Sequence, residues 1–72
     1  MNKDYRDLKT RLSDIMFIDL EGYLNPDSNE EMIMVETLFG ELLEEEHVVL
    51  NRLERQRLYD EVIEDILRRV RR

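Results

Sequence analysis

The 72-residue sequence has no cysteine and no tryptophan, and only one histidine and one proline. Without cysteine there is no disulfide framework and no thiolate zinc site to staple a small fold, so packing must carry its stability. A chain of this length buries only ~60% of the surface it exposes when unfolded, which puts a premium on well-packed helices or a second chain. The single proline and two glycines favour helices over a turn-rich sheet. No apolar run approaches the ~20 residues of a membrane span, and the start, MNKDYRDLK, lacks the apolar stretch of a secretory signal. The expectation is a soluble cytoplasmic chain with no membrane span.

Catalytic hardware is equally sparse. No nucleotide loop, nucleophile triad or zinc spacing is present. Ser13 and Ser28 have no base patterned beside them, and Ser28 has a capping role instead. Glu44 and His47 make one Glu-x-x-His, half of a carboxylate-bridged di-metal motif whose full form needs two such pairs and two further glutamates. With one copy, His47 reads as a solvated or helix-terminal residue, and neither a metal nor a cofactor is expected.

Positive charge is missing from the middle of the chain. From Ser13 to His47 there are eleven acidic residues and no Lys or Arg, whereas the first twelve residues carry four basic and two acidic side chains. From Val48 onward, seven arginines accompany five acids. The simplest expectation is packing, an acidic central helix pairing with the edges of two more basic ones. The net charge of −7 disfavours nucleic acid. The tail RRVRR suits a helix C-terminus, where the macrodipole favours cations.

Three apolar-periodic segments remain. Tyr5, Leu8, Leu12, Ile15 and Met16 mark one face of a helix over about 4–20. Gly22 is expected as the left-handed residue that ends it, with Tyr23 and Leu24 packing back on the bundle. Pro26 bars continuation, and Asp27 or Ser28, with Glu30 or Glu31, is suited to cap a helix over about 29–46. There Met32, Val35, Phe39 and Leu42 form an inward stripe, but Ile33, Met34, Leu38 and Leu43 widen it beyond the ~100° arc a core needs. Met16 and Met32 fit core gaps, while Met34, two positions from Met32, leans away from that core. Gly40 costs ~1 kcal/mol against alanine inside this helix, or else admits another backbone. Val48 and Val49 favour an extended link, and Asn51 with Glu54 forms a capping box opening a helix over about 52–71. Leu53, Leu58, Tyr59, Val62, Ile63, Ile66, Leu67 and Val70 form its apolar band. The expected fold is all-α, an antiparallel three-helix bundle in one domain spanning 1–72.

The segment LNRLERQRLYDEVIEDIL resembles the stretch preceding the ring-forming core in ATPases of the tight-adherence pilus branch of the type II/IV secretion superfamily. In that family an LN-x-x-ER-x-x-L helix and an acidic E-V-x-x-D/E-x-L run lead into GLGPLEPLL. Leu50, Asn51, Glu54, Arg55, Leu58, Glu61, Val62, Asp65 and Leu67 match it. YRDLKTRL is similar to the family's opening helix through Tyr5, Leu8, Lys9, Arg11 and Leu12, and LLEEE before the link is similar as well. This chain carries RRVRR in place of GLGPLEPLL, and Ser13 where the family commonly has histidine. The resemblance implies an N-terminal helical domain without the ATP-binding loop, not itself an enzyme, whose partner is another subunit or the secretion machinery.

Two other origins fit the same pattern. One is an engineered three-helix scaffold whose hydrophobic patch binds a designed target. The other is a self-associating bundle, a homodimer burying its wide stripes. Where a separate protein partner is bound, the expected anchors are Phe17, Tyr23, Met34, Leu38 and Phe39.

Overall fold

The three apolar stripes become three helices in the computed structural model, which describes residues 3–70. Helix α1 spans Lys3–Asp19, α2 Asn29–Glu45 and α3 Arg52–Val70, with no strand among the described residues. The expected boundaries lie within one residue of these, and Arg71 falls outside the described residues. Tyr5 meets Glu61 and Asp14 meets Arg69, so α1 and α3 run in the same sense. Arg11 meets Glu46, and Leu20 lies beside the first turns of α2, so α2 runs antiparallel to both. The result is an all-α bundle of three helices in which successive helices alternate in direction.

The core follows from the 3.6-residue period. Leu8, Leu12 and Met16 of α1 meet Val35, Phe39, Leu42 and Leu43 of α2 and Leu58, Val62 and Ile66 of α3, all buried. Leu24, from the first link, closes this core as expected, but Tyr23 does not pack back with it and stays 60% exposed. Leu53 is corrected too. It sits five residues before Leu58, about 140° around the helix, and is 82% exposed rather than part of the apolar band.

Capping chemistry fixes the helix starts. The Ser28 hydroxyl accepts the Glu31 amide at 3.3 Å, which settles the choice between Asp27 and Ser28. At α3 both halves of the capping box form: Glu54 N–H donates to Asn51 Oδ1 at 2.8 Å, and Asn51 N–H donates to Glu54 Oε1 at 3.0 Å.

The helix ends share one device. After α1 the Gly22 amide reaches back to the Phe17 carbonyl and the Glu21 amide to that of Ile18, both at 2.9 Å. This Schellman stop places Glu21, at φ 56°, in the left-handed position expected for Gly22, which follows it at φ 72°. After α2 the Val48 amide bonds to the Leu43 carbonyl and the His47 amide to that of Glu44, with His47 at φ 56°. His47 is therefore a helix stop by conformation, and histidine tolerates that region better than most side chains.

Candidate functional site

The outer half of α2 presents what the core leaves over. A 100° step per residue places Met34 about 140° from Phe39, so one methionine turns outward while Met32 packs on the core. Met34 is 64% exposed and its neighbour Ile33 65%. Leu38, one turn beyond Met34, is half-buried. Leu38 and Leu20 line a shallow groove with Ile33, Met34 and Thr37, bounded by Asp19 and Glu41. Thr37 donates its hydroxyl to the Ile33 carbonyl at 3.0 Å, so its hydrogen is used within the helix.

The five expected anchors separate under this geometry. Met34 and Leu38 share the groove, and Ile33 and Leu20 join them. Tyr23 is exposed on the link, and Phe17 is half-buried on α1, but neither lines the groove. Phe17 instead lies 5.7 Å from the Arg69 guanidinium and supports Gly22, where an added Cβ would come within 3.4 Å of its ring. Phe39 is corrected outright. It is 1% exposed, edge-on to Tyr59 at 5.2 Å between ring centres, with the Arg55 guanidinium 5.6 Å from its ring centre. The same inward register that packs it with Val35 and Leu42 removes it from the surface. No backbone of another element approaches Gly40 among the described residues; a Cβ there would meet only the movable tip of the exposed Arg55 side chain, at 3.0 Å from Nη2. Ile33 and Leu20 line the groove without being among the expected anchors, although the excess width of the α2 stripe already pointed to Ile33.

Electrostatics sharpens this face. Of the eleven acids between Ser13 and His47, two are in ion pairs among the described residues. Arg11 donates through Nε and Nη2 to Glu46 Oε1 at 3.2 and 2.8 Å. Arg69 donates to Asp14 at 2.8 Å and to Asp65 at 3.1 Å, and the Asp14 hydrogen bond is the main reason its pKa is raised. Glu36, Glu41 and Glu44 form no ion pair among the described residues and line grooves over Gly40, with Arg55 on the α3 side. No acid within the α2 span is in an ion pair among the described residues, so the expected pairing of an acidic helix with its basic neighbours is not found and the outer face stays acidic.

Two further features are structural. The Tyr5 hydroxyl donates to Glu61 Oε2 at 2.7 Å, and burial, reinforced by that carboxylate, pushes its phenol up to about 12. The Ser13 hydroxyl is fully buried in α1 with no hydrogen-bond partner among the described residues. Among the described residues no cluster of His, Asp and Glu is arranged to hold a metal, and no helix is long and apolar enough to cross a membrane.

No curated protein and no solved structure gives a significant match to this chain. A family profile does, and it runs from the first turn of α1 to the last turns of α3. Matched over residues 5–67, the chain belongs to the family described as Type II secretion system protein E, N-terminal domain.

Proposed function

We propose that this chain is a non-catalytic docking module of a cytoplasmic secretion or pilus-assembly ATPase of the tight-adherence branch. Its α2 face binds another subunit or a component of the machinery, with Met34 and Leu38 as central anchors and Phe17 and Tyr23 at the periphery. The observation that carries the reading is the adjacent exposure of Ile33 and Met34 over a groove whose floor is Leu20 and Leu38. Apolar side chains exposed at neighbouring positions, with a polar border, are typical of the centre of a protein interface. The family membership and the resemblance to the tight-adherence ATPases supply the context of a multi-subunit machine. The 72 residues contain no nucleotide loop, so the role assigned to them is docking rather than turnover.

Competition tests the reading. Residues 1–72, overproduced in a bacterium whose pilus or secretion output depends on an ATPase with this domain, should occupy the docking place and lower that output. Met34→Glu, folded to the same extent by circular dichroism, should restore it. Equal inhibition by both proteins, or none by the wild type, refutes docking through this face.

A further inference from the structure

The docking reading leaves open what kind of surface α2 receives, and the charge on this face narrows it. Thr37, Glu41 and Glu44 follow one another at helical spacing of four and three along the outer midline of α2, with Ile33 and Met34 flanking its first turns. At mid-length the side chains shrink: Gly40 has none, and Thr37 turns its hydroxyl back to the Ile33 carbonyl. Glu30, exposed in the first turn, continues the same line, so the face carries Ile33 and Met34 between acidic ends and is low in the middle. From Ile33 to Glu44 it rises ~17 Å, the length of about three helical turns. Two partners fit this badly. A second copy docked α2 to α2 about a two-fold axis would set acidic faces against each other, and two chains of net charge −7 repel at long range. An acidic or purely apolar partner would leave Glu41 and Glu44 desolvated with Arg55 alone beside three carboxylates.

We propose that the outer face of α2 receives a basic amphipathic helix of a partner protein, about three turns long. Its apolar side chains sit on Ile33, Met34 and Leu38, and its Lys or Arg side chains face Glu41 and Glu44. This rests on the docking reading and deepens it by assigning the partner's chemistry. Arg55 borders the face from α3, stacked on Phe39, and directs the cationic side of the incoming helix toward α1, where Asp19 closes the groove.

The probe is a fluorescein-labelled helical peptide of about 14 residues with leucines on one face and lysines flanking them, read by fluorescence anisotropy. A second peptide keeps the leucines and replaces every lysine with glutamate. The lysine peptide should bind at least about tenfold more tightly, and its affinity should fall as salt rises from about 0.05 to about 0.5 M. Met34→Ser should weaken it about tenfold, equivalent to the loss of one well-seated anchor. Glu41→Lys with Glu44→Lys should reverse the preference between the two peptides, while Glu64→Lys on exposed α3 should leave it unchanged.

Equal binding of both peptides overturns the charge assignment. Equal weakening by Glu64→Lys and by the Glu41 and Glu44 pair overturns the location, because attraction would then follow net charge alone. A chain that refuses both peptides and doubles in mass with concentration overturns the partner class in favour of a second copy. If any of these occurs while Met34→Glu still relieves the competition described above, docking through α2 stands and the basic helix falls. If Met34→Glu has no effect there, docking itself falls.

Discussion

Replacing Ser13 with alanine should make this protein more stable, and the size of the gain can be worked from the structure. Ser13 lies mid-helix in α1, fully buried, with a hydroxyl that meets no acceptor or donor among the described residues. A buried hydroxyl that gives up water without a replacement costs about 1–3 kcal/mol. Alanine removes that cost and adds up to about 0.5 kcal/mol of helix propensity. Against this stands the small void left by one oxygen, whose lost dispersion contacts cost some tenths of a kcal/mol. The net expectation is a gain of about 1–2 kcal/mol, which for a domain of this size raises the melting temperature by roughly 4–8 °C per kcal/mol. Thermal and urea unfolding of the two proteins at one concentration measure it. An unchanged or lowered midpoint would mean that the hydroxyl is satisfied in solution, by water or by the backbone of its own helix, and the reasoning would be refuted.

Three other outcomes are expected. Glu21→Gly and His47→Gly each relieve a left-handed backbone held by a residue with a Cβ, so each should stabilise by about 0.5–1 kcal/mol; a loss of stability at either site would contradict the Schellman assignment. Phe39→Ala empties the centre of the core and should cost about 3–5 kcal/mol, whereas Met34→Ala should stay within about 0.5 kcal/mol; urea unfolding that found similar losses would refute the assigned depths. For Tyr5, a folded pKa raised from 10.0 to about 12 means the folded state holds its proton where the unfolded chain loses it, so the stabilisation is complete below pH 10 and is lost as pH rises toward 12. Tyr5→Phe should flatten stability over that interval, and an unaltered pH profile would place the raised pKa elsewhere.

The starts of the helices were legible in the sequence because caps are local chemistry. Asn51 and Glu54 need only each other and the backbone between them, and Ser28 needs only the next turn. The ends were less so. Gly22 advertises a left-handed position, but Glu21 takes the one that closes the Schellman motif, and nothing in the residue type announces this. His47 was expected as a solvated or helix-terminal residue and does end α2, but the residue type did not announce its positive φ. The anchors show the same limit. Phe39 belongs to the inward register of Val35 and Leu42, and that period should have outweighed its appeal as an aromatic contact. Which flank of the wide α2 stripe stays exposed depended on where α1 and α3 settle, which is long-range information that a local pattern lacks.

The charge segregation of the chain is where sequence and structure together say more than either alone. Had the acidic middle served packing, most of those carboxylates would be found against the arginines of α3 and the basic residues of α1. Only Asp14 and Glu46 are, among the described residues, and both lie outside the α2 span Asn29–Glu45. The acids on α2 itself therefore contribute little to holding the bundle together. Exposed carboxylates of one sign repel along a helix and lower its stability slightly, so on folding grounds alone a mixed surface would serve better. Their concentration around the two most outward apolar residues of α2 is the arrangement expected of a surface that selects its partner by charge and holds it by apolar contact.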